Sequence, residues 1–334
     1  LYDNNIDILE NELIKEHPGV LEALLRDHTT QKYIFWATDN YKELGKNYQY
    51  HDEILPESIS GENDCVIMPR VKKNKDLQQS RIRKMAEVFT PSWICNAQNN
   101  LIDNSWFGRE NVFNCEIVTG DNINTWRTNT KLVTFPEKKT WRNYVRENRL
   151  EISCGEAPYI TSRYDTTTGG FIPVSDRVGL LDRKLRVVSE NCHKSGEWLK
   201  AAQLAFKSTY AYEWQGDSLL LSREAMLITF IENYLAKFNK EPLAKSIKYI
   251  AYIISWNVWQ MDGLKAVVPN SCKNKVDKTT NLFGEKEVFI SFCDGCMKND
   301  IKKHNGTYCI IKDWGAKDKQ TGTLGNKIRY QNLL

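Results

Sequence analysis

Four stretches of the sequence end an apolar, strand-like run on a carboxylate. Glu151-Ile-Ser-Cys154-Gly155 puts an acid before a strand end and a glycine in the turn that follows, where a missing side chain lets the backbone approach a ligand closely. Tyr212-Glu213-Trp214 ends the next strand on an acid, and a carboxylate at a strand tip can accept both hydroxyls of a ribose. Trp259-Gln-Met-Asp262-Gly263 adds a third acid, an acceptor for an adenine amino group, and Cys309-Ile-Ile-Lys-Asp313-Trp314 ends on an acid beside a flat ring. Acids at successive strand ends can recognise a nucleoside, although taken alone they also suit ordinary surface positions.

A second grouping is sulfur-based. Cys293-Asp-Gly-Cys296 is a tight knuckle, with Cys272 upstream and Cys309 downstream; four thiolates so spaced can enclose a tetrahedral zinc ion, and His304 is a substitute fourth ligand. The chain has 9 cysteines, an odd number scattered over a long sequence, which argues against a secreted disulfide scaffold. A rival chemistry is nuclease-like: Asp121 followed by Glu137-Lys138-Lys139 gives an acid, a gap and a Glu-x-Lys that could bind Mg²⁺ and activate water.

The elements that must position these groups alternate. Residues 8–26 read as helical with a break at Pro18, Lys32 to Thr38 as a buried strand, and 50–84 as polar loops. Thr90-Pro91 is a cap and first-turn pair for a helix. From Leu150 onward, strand follows helix: Val178, Leu181, Leu185 and Val188 form one helical stripe, and Leu221, Ala225, Ile228, Ile231, Leu235 and Phe238 another. Alternation of this kind implies a mostly parallel sheet whose ligand sits at the strands' carboxyl ends.

With those residues in view, the chain resembles an S-adenosylmethionine-dependent DNA methyltransferase of the N6-adenine type, in particular the methylation subunits of restriction-modification systems. The resemblance spans roughly 86–334. Phe89-Thr90-Pro91 looks like the family's segment beside the methionine part of the cofactor; Glu151, Cys154 and Gly155 lie in what is similar to the cofactor loop. Glu213, with Trp214 after it, matches the ribose-binding acid, and Asp262 the acid that meets adenine. Asp313-Trp314 stands where the family's catalytic tetrapeptide would fall, although its two prolines are absent. The resemblance implies an α/β fold, a Rossmann-like class I methyltransferase sheet over 86–334, with an N-terminal helical and extended region over 1–85; the cysteine spacing makes 270–309 a candidate zinc-binding insertion within it. It further implies a flipped adenine stacked on Trp314, its amino group bonded to Asp313, with Phe89 near the sulfonium. Because the prolines are missing, a non-catalytic subunit that keeps cofactor or DNA binding stands as the alternative.

Composition bears on partners. The net charge of +4 is too small to indicate a nucleic-acid binder alone, but basic clusters at Arg70–Lys75, Arg81–Lys84, Lys138–Arg142 and Lys298–Lys303 accompany 10 Trp, 15 Tyr and 12 Phe. Double-stranded DNA and a restriction or specificity subunit are the expected partners. No run is long enough for a membrane span, so a cytoplasmic location is expected.

Overall fold

Pro18 and Gly19 divide the first helical run, as their chemistry requires. α1 (Glu10–Glu16) and α2 (Val20–Leu25) flank Gly19, whose φ of +81° favours glycine. The protein is described by a computed structural model over residues 6–73, 75, 90–280, 286–318 and 321–334. α3 (Ser92–Phe107) starts directly after Pro91. Its first amide is capped by Asp165, whose Oδ2 accepts the Ser92 N–H at 2.7 Å, rather than by Thr90. Burial opposes the Asp165 charge, yet hydrogen bonds from Thr167, Ser92 and Thr168 hold its carboxyl down at about 2. A hairpin of β1 (Asn114–Val118) and β2 (Asn124–Thr128) follows, then α4 (Trp141–Arg146), capped by Thr140.

The α/β alternation then appears as the apolar stripes demand. β3 (Arg149–Ile152), β4 (Thr209–Glu213) and β5 (Val258–Gln260) form a parallel sheet in that order. Ile152 lies opposite Tyr212, and Glu213 opposite Gln260. Parallel neighbours need long crossovers. α5 (Leu180–Asn191) and α6 (Ser195–Lys207) supply the first, α7 (Gly216–Phe238) and α8 (Ala244–Asn257) the second. The predicted stripe holds: Val178, Leu181, Leu185 and Val188 are all buried. The sheet's outer edge at β3 leaves Leu150 and Ile152 43% and 64% exposed.

The expected larger sheet is not there among the described residues. Tyr308 to Trp314, read as a further parallel strand, instead belongs to β8 (Ile310–Lys317), which pairs antiparallel with β9 (Leu324–Arg329). A turn closed by Asp318 N–H to Thr323 O (2.8 Å), with Gly322 at φ +68°, folds the chain back on itself. The β8 backbone therefore spends its hydrogen bonds on β9. What stands is a mixed α/β protein with a small parallel sheet. β6 (Lys275–Thr280) and β7 (Lys286–Ser291) form a separate hairpin, followed by the single helical turn and a half of α9 (Asp294–Lys298).

Lys32–Thr38 is a strap rather than a sheet strand. Phe35 bridges Glu53 alone, and its amide and carbonyl are both taken by the Gln260 side chain, at 3.1 and 2.8 Å. Gly216 N–H bonds the Trp36 carbonyl at 3.0 Å, so the strap crosses the end of β5 and the start of α7. Leu13, Leu24, Trp36 and Ile54 share one hydrophobic cluster with α5–α8, so residues before 86 contribute to the same core. No helix among the described residues is long and apolar enough to cross a membrane.

One buried cation ties these layers together. The Arg223 guanidinium, on α7, donates to the carbonyls of Val258 (2.6 and 2.9 Å), Ser255 (3.3 Å), Arg26 (3.1 Å) and Leu24. It joins α2, α8 and β5, and burial lowers its pKa to about 10. Removing it leaves several buried carbonyls unsatisfied, so Arg223→Ala should destabilise the fold by about 3–5 kcal/mol in denaturant unfolding; a loss below about 1 kcal/mol would show that the ties are dispensable.

Candidate functional site

Three of the four acids selected from the sequence, Glu151, Glu213 and Asp262, converge at one end of the parallel sheet. The backbone leaves β3 through a tight turn in which Ser153, Gly155 and Ala157 all have positive φ, at +48°, +54° and +57°. Two of these are not glycine, and left-handed backbone costs such residues roughly 1–2 kcal/mol each; strain of this kind gathers at functional sites. The turn presents the Gly155 N–H to Glu213, whose Oε2 accepts it at 2.9 Å, while Oε1 accepts Gln215 N–H at 3.2 Å. Met261 N–H then bonds the Glu213 carbonyl at 2.9 Å, which sets Asp262 just beyond the neighbouring tip.

Each acid is already partly engaged. Glu213 is 7% exposed; burial raises its pKa, against the amides of Gly155 and Gln215, which lower it. A carboxylate has about four lone-pair sites, and with the Trp214 amide also acting on it about one remains for a ribose hydroxyl. Asp262 is 3% exposed; its Oδ1 accepts Leu264 N–H (3.1 Å) and its Oδ2 lies 3.3 Å from the Lys265 ammonium. Gly263 is required there, because a Cβ would sit 2.5 Å from the Tyr212 ring. Glu151 faces inward and accepts the amides of Tyr159 (3.4 Å) and Ile160 (3.2 Å), fastening the loop after β3; burial pushes its pKa to about 8. Cys154 is buried, and desolvation raises its thiol well above the ordinary value, which makes it a packing group.

Thr90 and Pro91 lie against the same loop: the Thr90 carbonyl accepts Thr166 Oγ1 at 3.1 Å. Phe89 lies outside the described residues, as do Arg81–Lys84. Trp214 turns away from β4 and donates its indole N–H to the Tyr50 hydroxyl at 3.0 Å; Asn270 donates to the same oxygen at 2.9 Å. Tyr50 thus links the Glu213 tip to the segment beyond Asp262. Its Tyr-Gln-Tyr setting in a polar loop was the only trace of this in the sequence.

Asp313 and Trp314 are not with the other acids. β8 runs against β5: Cys309 Sγ meets the Gln260 carbonyl near the carboxyl end, whereas the Trp314 indole donates to Asn257, before β5 begins, at 2.7 Å. Asp313 lines a separate cavity of about 280 Å³ with Arg149 and Tyr210, at the amino ends of β3 and β4. The pair therefore stands apart from the Gly155, Glu213 and Asp262 tips. An antiparallel strand carries its last residues to the wrong end of the sheet.

The metal ligands also change by one. The Sγ atoms of Cys272, Cys293 and Cys296 lie 3.6, 3.7 and 3.6 Å from His304 Nδ1, and the four ligand atoms are all within 4.8 Å of one another. Zinc bonds of about 2.3 Å to sulfur and 2.05 Å to nitrogen, at the tetrahedral angle, place sulfur and nitrogen about 3.6 Å apart. The four ligand atoms are spaced so that they could hold a tetrahedral metal ion such as zinc. Cys293 caps α9 and Cys296 lies one turn on, so the knuckle spacing puts both sulfurs on one side. Burial opposes ionisation of Cys293, but hydrogen bonds from the Asn305 and Cys296 amides and His304 bring its thiol to about 6. A Cβ on Gly295 would lie 2.6 Å from His304 Nδ1, so only glycine admits the imidazole. Cys309 is excluded by strand alternation: Tyr308 points its hydroxyl to the His304 amide (2.9 Å), and its neighbour therefore points into the core, fully buried.

The nuclease triplet gains nothing from the structure. Lys139 donates to the Trp106 carbonyl (2.7 Å) and lies over its ring, and the Cys₃His set is the one group of three or more close metal-ligand side chains among the described residues. Several basic residues are paired internally, Lys72 with Asp7 and Lys303 with Asp300. A basic and aromatic strip does exist: the Lys312 ammonium lies 4.7–5.3 Å from the ring centres of Trp314, Tyr252 and Trp256. Compared with known proteins, the chain matches no family model, no curated protein and no solved structure.

Two outcomes follow. Metal analysis of purified protein should give one zinc per chain, retained in Cys309→Ser and lost in His304→Ala and Gly295→Ala; retention in all three would refute the Cys₃His assignment. Glu151 has a folded pKa above its unfolded one, so its contribution is full below about pH 4.5 and is lost as the pH rises through about 8. Thermal melts of Glu151→Gln should therefore compare better with the parent at pH 9 than at pH 5, and an unchanged difference would contradict the burial effect.

Proposed function

We propose that this chain binds S-adenosylmethionine at the carboxyl ends of β3–β5 and serves methyl transfer to adenine N6 in DNA within a restriction-modification assembly. The observation that supports it most is the meeting of Gly155, Glu213 and Asp262 at adjacent parallel strand tips, with the Gly155 amide on the Glu213 carboxylate. A ribose hydroxyl would donate to the remaining lone pair of Glu213, and Asp262 would accept from the adenine amino group when Lys265 swings aside.

Within this reading, the chain acts as the cofactor-binding component. Asp313 and Trp314 lie at the opposite end of the sheet, so they do not orient a target base over a methyl group held at Glu213. That observation favours the non-catalytic alternative over a self-sufficient methyltransferase. DNA contact falls to surfaces such as the Lys312–Trp314 strip, where ammonium groups and rings together suit phosphates and bases.

Calorimetric titration with S-adenosylmethionine tests the reading. Losing one charged hydrogen-bond acceptor costs about 1.5–3 kcal/mol, so Glu213→Gln and Asp262→Asn should each weaken binding about 10- to 100-fold. Asp313→Ala should leave affinity unchanged. An unaltered affinity in the first two variants, or no binding by the folded parent, refutes the assignment.

A further inference from the structure

The Cys₃His centre and the Asp262 tip share a wall. A cavity of about 320 Å³ is bounded on one side by Asp262, Lys265 and Asn270, and on the other by Phe292, Cys293 and Cys296. Short-range bonds bind the two sides together. Val267 bridges both Asp262 and Tyr308, Val268 N–H bonds the Thr307 carbonyl (2.8 Å), and Thr307 N–H bonds Ser271 Oγ (3.0 Å). Asn305 completes the clasp, accepting from the Lys273 amide (3.1 Å) and donating to its carbonyl (2.7 Å).

Little apolar packing holds the far side in place. Phe292 and Met297 are each 57% exposed, while the buried side chains of 290–304 are the two metal ligands Cys293 and His304. A segment with so small a core is ordered by its staple, and a structural zinc site contributes folding free energy directly. Charge joins the two sides as well. Zinc with three thiolates and a neutral imidazole carries one net negative charge. The Lys265 ammonium, 3.3 Å from Asp262, also feels Cys272 and Cys296.

We propose that zinc at Cys272, Cys293, Cys296 and His304 switches on the adjoining nucleoside pocket, so that occupancy of the metal centre sets affinity for the adenine end of the ligand. The exposed Phe292 ring offers the stacking face and Asp262 the acceptor. This inference rests on the reading of the strand tips as an S-adenosylmethionine site, and its test separates the two.

The full chain is prepared zinc-loaded and zinc-stripped, and each form is titrated with S-adenosylhomocysteine by calorimetry, with circular dichroism to follow the fold. Stripping should weaken binding by at least about tenfold, within the usual range of site-to-site coupling, with added zinc restoring it. Phe292→Ala should keep its zinc yet bind the ligand more weakly, which separates the wall's contribution from loss of fold. Equal affinity in both forms overturns the switch and leaves the nucleoside site standing. Failure of the zinc-loaded form to bind overturns both, and a chain that takes up no zinc overturns the switch alone.

Discussion

The hydrogen bond from Gly155 to Glu213 carries more of this structure than its 2.9 Å suggests. It crosses from the turn after β3 to the last residue of β4, and it fixes a place where a strained turn, a buried carboxylate and the sheet's carboxyl end coincide. Ser153 and Ala157 hold left-handed conformations to make that turn, and Glu151 fastens the loop that follows. Behind it, Arg223 pins β5 to α2 and α8, so the third tip and its Asp262 keep their register with the first two. The turn, the sheet and the Arg223 ties meet in a small region that no single element could form.

The Cys₃His group, which could hold a metal ion, extends that region outward. Ala266 and Val268 still join the second hydrophobic cluster, whereas in 290–304 the buried side chains are Cys293 and His304, two of the four candidate ligands. Gly295 and Gly306 are part of this solution: a side chain on either would press on His304 or on Cys272. Tyr50 performs a related task from the N-terminal side, accepting from both Trp214 and Asn270. Residues before 86 thus help shape the carboxyl end of the sheet.

Much of this was legible in the sequence because it depends on local period and residue type. The stripe through Leu181, Leu185 and Val188, the break at Pro18-Gly19, and the acids at the ends of β3, β4 and β5 are all patterns a single segment declares. Pairing partners are not declared that way. Ile310–Lys317 has the composition of a buried strand, but its direction is set by the turn at Asp318–Thr323, so Asp313 and Trp314 end at the wrong end of the sheet. Cys309 was misassigned for a similar reason: spacing along the chain allowed it as a ligand, whereas alternation about Tyr308 turned it into the core. His304, the weaker candidate by spacing, has its ring nitrogen where the fourth ligand belongs.

The most direct test of the central claim is a crystal structure of the protein with bound S-adenosylhomocysteine. The account predicts ribose hydroxyls within hydrogen-bonding distance of the Glu213 carboxylate, beneath the turn at Gly155, and the adenine amino group at Asp262. An adenosyl group lodged instead between Arg149 and Tyr210, at the amino ends of the strands, would contradict it.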